Sequence, residues 1–98
     1  MRIYVVDDER IIRVSLADEL RDEGYEVMEF AHAGPALLQM KTDLPDIVIT
    51  DLKMPDINGI EFLKRTKSIN NNIFVVLMTA FSTVSTAVEA MKLGAYDY

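Results

Sequence analysis

The sequence has no cysteine and contains only 4 glycines and 3 prolines among its 98 residues. Without cysteine the chain cannot form a disulfide, use a thiolate in catalysis or hold zinc through sulfur. The small number of glycines and prolines and the hydrophobic content of 50% argue against disorder and predict a packed core. A chain of this length forms one domain at most.

Positive charge is also scarce, with 10 basic against 16 acidic residues and a net charge of -6. Because no lysines and arginines cluster densely enough to follow a phosphate backbone, we expect no direct nucleic-acid binding. The N-terminus has one basic residue and a short apolar run that ends at Asp7, unlike a signal peptide. No segment approaches transmembrane length. We therefore expect a cytoplasmic protein that does not associate with membranes.

Short apolar runs alternate with segments of helical periodicity, which is the pattern of a βαβ protein. Strands are predicted at Ile3–Val6, Tyr25–Phe30, Ile47–Asp51 and Ile73–Met78, and Ala95–Tyr98 begins a fifth. Helices are predicted through Ile12, Leu16 and Leu20 up to Gly24, over Ala33–Met40, over Ile60–Lys67 with its basic side chains exposed, and from Ser82 or Thr83 to Gly94. The fold class is therefore α/β, with a doubly wound parallel sheet.

Three carboxylates follow or end two of these strands. Asp7 and Asp8 come directly after the first strand, and Asp51 ends the third. In a flavodoxin-like sheet of order 2-1-3-4-5, the strand order reverses between strands one and three, and ligands bind there. Three carboxylates at one edge repel one another unless a cation lies among them. Taken singly, each aspartate is more often a helix cap than a metal ligand, but their shared position favours a site.

The chain resembles the receiver domains of bacterial two-component response regulators, most closely those of the NtrC-type activators. The resemblance covers residues 1–98 and rests on five motifs in the same order and spacing. These are Asp7-Asp8-Glu9, Asp51, Met54-Pro55-Asp56 with Gly59, Thr79-Ala80, and Gly94-Ala95-Tyr96-Asp97-Tyr98.

The resemblance implies that Asp51 is a phosphoacceptor and that Mg²⁺ is the cofactor. Asp8, Asp51 and the backbone carbonyl of Lys53 would bind the ion, and Asp7 would act mainly through water. The implied partners are a sensor histidine kinase, a C-terminal output domain that controls a response such as transcription, and a second copy in a homodimer.

The resemblance also implies a switch at the end of the fourth strand. The Thr79 hydroxyl and the Ala80 backbone N–H would contact the phosphoryl group, and Tyr98 would be the aromatic residue that rotates inward. The altered protein-binding face would be the output of the domain.

One element of the family pattern is missing. Receivers carry a lysine at the end of the fifth strand, and this sequence stops at Tyr98, three residues before that position. The fifth strand is therefore shortened and the fifth helix is absent, so we expect the chain to be incomplete at its C-terminus.

Two other functions remain open. A degenerate receiver would serve only as a protein-interaction module, and this alternative remains because the lysine that pairs with the phosphoryl group is absent. An aspartate-nucleophile phosphatase would be an enzyme with turnover, but such hydrolases place a second aspartate two residues after the nucleophile, where this chain has Lys53. We expect no turnover enzyme.

Overall fold

The computed structural model describes residues 1–78 together with Lys92 and Gly94. Helices and strands alternate along this part of the chain. They are β1 (Arg2–Val6), α1 (Arg10–Asp22), β2 (Glu26–Phe30), α2 (Ala33–Gln39), β3 (Ile47–Asp51), α3 (Gly59–Ile69) and β4 (Phe74–Met78). The predicted helix up to Gly94 and the predicted fifth strand lie outside the described residues, as do Thr79, Ala80 and Tyr98.

The four strands form one parallel sheet in the order β2-β1-β3-β4. This order confirms the predicted flavodoxin-like fold over the described strands. β2 lies at an edge, whereas β1 and β3 are central and pair with Val6 opposite Thr50. Parallel strands need long crossovers, and α1, α2 and α3 supply them. The carboxyl ends of all four strands therefore lie along the same edge of the sheet.

Helices cover both faces of the sheet, which explains why β1 is apolar at nearly every position. Alternate side chains of a strand point to opposite faces. Ile3 and Val5 pack in one cluster with Ala17 of α1, whereas Tyr4 and Val6 belong to a second cluster with α2 and α3. The core is thus divided by the sheet into two layers.

The buried face of α1 differs from the predicted apolar face. Ile12 was expected to share a buried face with Leu16 and Leu20, but its side chain is 46% exposed. Ala17 is fully buried, and Leu16 and Leu20 pack around it against the sheet. The contact with the sheet is therefore made by the C-terminal half of α1, because a small residue allows close approach there.

The last turn of α3 corrects a second expectation. Lys67 was predicted to be exposed, yet its ammonium donates hydrogen bonds to the carbonyls of Asn71 (3.1 Å) and Ile73 (2.6 Å). A cation near a helix C-terminus is favoured by the helix dipole, and here it also satisfies carbonyls of the following turn. Lys67 thus fastens α3 to the start of β4.

Over the described residues, no helix is both long enough and apolar enough to cross a membrane.

Candidate functional site

The sheet brings Asp7, Asp8 and Asp51 together. Because Val6 pairs with Thr50, the residues that follow them meet at the carboxyl edge of the two central strands. One carboxylate oxygen from each aspartate lies within 4.8 Å of the others. β1 connects to β2 on one side and pairs with β3 on the other, so the cluster lies where the strand order reverses, as predicted for ligands in such sheets.

Asp7 is the buried member of the cluster, with only 3% of its surface exposed. Its backbone N–H donates to the carbonyl of Phe30 (3.0 Å), and its carboxylate accepts from the N–H of Glu9 (2.9 Å). Burial, and then the negative charges of Asp51, Asp8 and Glu9, raise the pKa of Asp7, although the Glu9 N–H acts in the opposite direction. Asp7 therefore holds a charge that the protein alone does not fully compensate.

Asp8 and Asp51 are progressively more accessible than Asp7: Asp51 is half-buried and Asp8 is exposed. A carboxylate oxygen of Asp51 lies 3.4 Å from the backbone nitrogen of Lys53, which is a long hydrogen bond. The side of the cluster that faces solvent is thus formed by Asp8 and Asp51.

The helix-cap alternative does not fit these aspartates. The N-cap of α1 is Glu9 rather than Asp7 or Asp8, and among the described residues its side chain makes no capping hydrogen bond. The N-cap of α3 is Asn58, which accepts from the N–H of Glu61 at 2.9 Å. Since other residues occupy the cap positions, the joint placement of the aspartates needs another explanation.

Gly59 keeps the start of α3 close to the end of β3. Its N–H donates to the carbonyl of Leu52 (2.7 Å). A Cβ on Gly59 would lie 2.7 Å from both the carbonyl oxygen of Asp51 and the Cα of Leu52. Since these are backbone atoms, they could not move aside without shifting Asp51 itself. The sequence showed this glycine only as part of a motif.

Asp56 connects the loop after β3 to α2. Its carboxylate accepts from the backbone N–H groups of Ala33 (3.3 Å) and Gly34 (2.8 Å). Desolvation acts to raise the pKa of Asp56, but the bonds from Gly34, Ile57 and Ala33 together outweigh it and hold the pKa below its usual value. Sequence reasoning missed this role, because Asp56 and Gly34 are 22 residues apart.

Arg13 is a further residue that the sequence did not single out. One guanidinium nitrogen donates to the backbone carbonyl of Asp7 (3.0 Å), and another lies 3.6 Å from a carboxylate oxygen of Glu29. Arg13 thus links α1 to the ends of β1 and β2. No sequence signal marks it, because an arginine on an amphipathic helix is ordinarily a solvated residue.

The residues present fit a small, hard divalent cation. Carboxylate oxygens are preferred ligands of Mg²⁺. Burial and the neighbouring carboxylates, which raise the pKa of Asp7, disfavour its charged form unless a positive charge lies nearby. One oxygen of each carboxylate lies within 4.8 Å of the others, so the three residues could hold such an ion directly or through water.

Comparison with known proteins agrees with this geometry. Residues 3–98 match the family described as response regulator receiver domain. Sporulation initiation phosphotransferase F of Bacillus subtilis is 39% identical over 97 residues, which cover 99% of this chain and 78% of that protein. The DNA-binding transcriptional regulator NtrC of Proteus hauseri is 36% identical over 96 residues, or 98% of this chain and 20% of NtrC.

A solved structure shows the same fold. The CheY-like receiver domain protein of Methanospirillum hungatei superimposes with a TM-score of 0.94 at 30% sequence identity, covering 99% of this chain and 78% of that one. The chain thus spans most of a small receiver protein but only about a fifth of the length of NtrC.

Proposed function

We propose that this chain, which belongs to the response regulator receiver domain family, takes a phosphoryl group onto Asp51 and uses it to alter a protein-binding surface. The observation that carries the proposal is the cluster of three carboxylates at the carboxyl edge of β1 and β3. Within it Asp7 is buried, Asp8 is exposed, and Asp51 is half-buried with a long hydrogen bond from the Lys53 N–H. Asp51 thus combines access for an incoming donor with a position beside the other two carboxylates.

The proposed reaction transfers a phosphoryl group from a phosphohistidine of a sensor kinase. The Asp51 oxygen forms the new P–O bond while the P–N bond breaks, and the imidazole nitrogen keeps the electron pair and takes a proton from water. The product is an aspartyl phosphate on Asp51 and a free histidine on the kinase. The protein contributes mainly the placement of the Asp51 carboxylate, because the register of β3 and the close approach of Gly59 fix the Asp51 backbone.

Asp7, Asp8, Asp51 and the Lys53 backbone carbonyl would hold a Mg²⁺ ion. When bound, the ion supplies the positive charge that offsets the repulsion between the carboxylates and the phosphoryl group. Asp7 would anchor the set, since its carboxylate is oriented by the Glu9 N–H.

The proposed switch uses Thr79, Ala80 and Tyr98. Phosphorylation adds a charge of about -1.5 to -2 at Asp51, and the Thr79 hydroxyl and Ala80 N–H would hydrogen-bond the new oxygens. Thr79 follows directly after β4, where Met78 pairs with Asp51. Tyr98 would then rotate inward and change the surface that a partner recognises.

Residues 1–98 would form one receiver domain of a cytoplasmic regulator. A longer protein of the NtrC type would attach an output domain after it, and a sensor histidine kinase would be the phosphoryl donor. Homodimerisation would be one way to transmit the signal. The domain itself would not bind nucleic acid, in line with its net charge of -6.

Labelling by a small-molecule phosphoryl donor tests the proposal. The protein is incubated with acetyl phosphate, with or without Mg²⁺, and the modified residue is located by mass spectrometry. We expect Mg²⁺-dependent labelling that is lost in Asp51→Asn and kept in Asp22→Asn, an exposed aspartate at the end of α1.

Each other outcome supports a different function. Absence of labelling in the wild-type protein would favour a passive interaction module, and continuous release of phosphate at a constant rate would favour a phosphatase. Labelling that persists in Asp51→Asn would assign the phosphoacceptor to another residue.

A further inference from the structure

A groove of about 690 Å³ runs between α2 and α3, away from the carboxylate cluster. Its apolar lining comes from Leu37 and Leu38 of α2, Ile57 of the loop before α3, and Ile69 at the end of α3. Leu38 is 65% exposed and Ile69 is 45% exposed. Contiguous apolar surface rimmed by polar residues can mark an interaction site.

The charged residues along the groove have the opposite sign to the chain as a whole. Lys41, Lys64 and Arg65 line it, and Glu61 is its acidic residue, whereas the net charge of the chain is -6. Within residues 1–78, no hydrogen bond or ion pair involves the Lys41 ammonium. The groove therefore combines an apolar floor with a basic margin.

The ion pairs at the margin are of the kind that a partner can replace. Glu61 lies 3.9 Å from the Lys64 ammonium and 3.3 Å from the Arg65 guanidinium, and all three side chains are roughly half exposed. Such exposed pairs contribute little to stability. Acidic groups of a ligand could therefore replace Glu61 as the ion-pair partners of Lys64 and Arg65 at little cost, while the Glu61 carboxylate would repel the ligand.

We propose that this groove binds an acidic amphipathic helix of a partner protein. A groove between two helices receives the apolar face of a third helix through residues spaced at i, i+3 or i+4, and i+7. Lys41, Lys64 and Arg65 along the groove favour acidic residues on that helix, because opposite charges across an interface strengthen binding and like charges weaken it.

A second copy of this chain is a poorer occupant. A groove that accepted a different surface of the same chain would form a head-to-tail contact, which gives a ring or an open chain of molecules rather than a two-fold dimer.

The groove reaches the phosphoacceptor loop at one end. Gly34 and Ile57 line it, and Asp56 precedes Ile57 and binds the N–H of Gly34. An occupant would therefore rest on the contact that joins α2 to the loop following Asp51. Binding itself requires no phosphoryl group, so the unphosphorylated protein can be tested and failure here would leave the role of Asp51 untouched.

A synthetic helix provides the probe. A peptide with leucines at i, i+3 or i+4, and i+7 and glutamates elsewhere is titrated into the full-length protein by calorimetry, and a peptide with lysines in place of the glutamates is the control. We expect the acidic peptide to bind at least about tenfold more tightly than the basic one. Added salt should reduce the difference.

Substitutions then locate the site. Leu38→Ser and Lys41→Glu should each weaken binding of the acidic peptide by about tenfold, whereas Glu61→Gln should tighten it by removing the opposing charge. Ile11→Ser, at a residue of α1 that is 83% exposed, is the matched control and should leave the affinity unchanged. Because Leu38 and Lys41 are exposed, circular dichroism should show that these variants remain folded.

Several results would overturn the proposal. It fails if the acidic peptide does not bind with a Kd below about 1 mM, if the basic peptide binds equally well, or if Leu38→Ser and Glu61→Gln have no effect. It also fails if sedimentation shows self-association that Leu38→Ser abolishes, since the occupant would then be a second copy of the chain.

Discussion

The backbone N–H of Gly34 donates a hydrogen bond of 2.8 Å to the carboxylate of Asp56. Ala33 donates to the other oxygen of the same carboxylate, at 3.3 Å. One side chain of the loop after β3 therefore satisfies two N–H groups in the first turn of α2, which would otherwise have no partner within the helix. The position of α2 and the conformation of the loop that follows Asp51 depend on each other through this contact.

Replacing Asp56 by alanine should destabilise the fold. The variant leaves the N–H groups of Ala33 and Gly34 without a carboxylate acceptor, and loss of a comparable helix cap costs about 1 kcal/mol. Urea unfolding measures the change. Glu23→Ala, an exposed residue at the end of α1, is the control and should change stability by less than about 0.5 kcal/mol. Equal effects in the two variants would contradict a bridging role for Asp56.

The Asp56 contact should also be sensitive to acid. The pKa of Asp56 is lower in the folded protein than its usual value, so the unfolded chain takes up a proton first as the pH falls. The stabilisation by the Asp56 carboxylate is complete above the pKa of an aspartate in the unfolded chain, about 3.9. It is lost as the pH falls towards the lower pKa of Asp56 in the folded protein. The stability difference between wild type and Asp56→Ala should therefore shrink below about pH 4. A difference that stays constant through this range would show that the Asp56 charge is not involved.

Asp7→Asn should stabilise the protein in the absence of metal and weaken its response to metal. Asparagine keeps an oxygen for the Glu9 N–H but removes a buried negative charge beside Asp8 and Asp51. We expect a gain of about 1 kcal/mol with chelator present. Added Mg²⁺ stabilises the native state in proportion to its affinity, and this gain should be smaller in the variant. Identical Mg²⁺ responses in both proteins would remove Asp7 from the metal site.

Gly59→Ala should impair the Asp51 site more than its cost in stability explains. The new Cβ would lie 2.7 Å from backbone atoms of Asp51 and Leu52, so the end of β3 must shift, at a cost of about 1 to 3 kcal/mol. Labelling by acetyl phosphate and urea unfolding should both be measured. Gly24→Ala is the matched control, because Gly24 has a φ of +95° and, among the described residues, a Cβ there meets no atom within 4 Å. Gly24→Ala should lose stability through backbone strain but label normally.

The strand order and the carboxylate cluster could be predicted from sequence because both follow from simple rules. Apolar runs that alternate with helical periods predict a parallel sheet, and an aspartate at the end of such a run must lie at the carboxyl edge. The family resemblance added expected roles for Asp51, Thr79 and Tyr98 that spacing alone does not supply. What the structure adds is the graded burial within the cluster, from Asp7 to Asp8.

Other contacts could not be predicted because they join residues far apart in the sequence. Nothing near Asp56 indicates that its partner is Gly34, and nothing near Gly59 shows how closely it approaches Asp51. The exposure of Ile12 was missed for a related reason: periodicity defines an apolar face but not which part of it meets the sheet. The side-chain fit of Ala17 decides that, and it depends on packing rather than on pattern.

The pairing of Val6 with Thr50 determines where residues can be inserted without disturbing the Asp7–Asp51 site. Because the register of β1 and β3 alone sets the spacing between Asp7 and Asp51, residues inserted into an exposed turn such as the one around Gly24 would leave that spacing intact. A single residue inserted within β3 would instead turn Asp51 to the other face of the sheet. Insertions in the surface turns are therefore tolerated, whereas β1 and β3 must each keep the same number of residues.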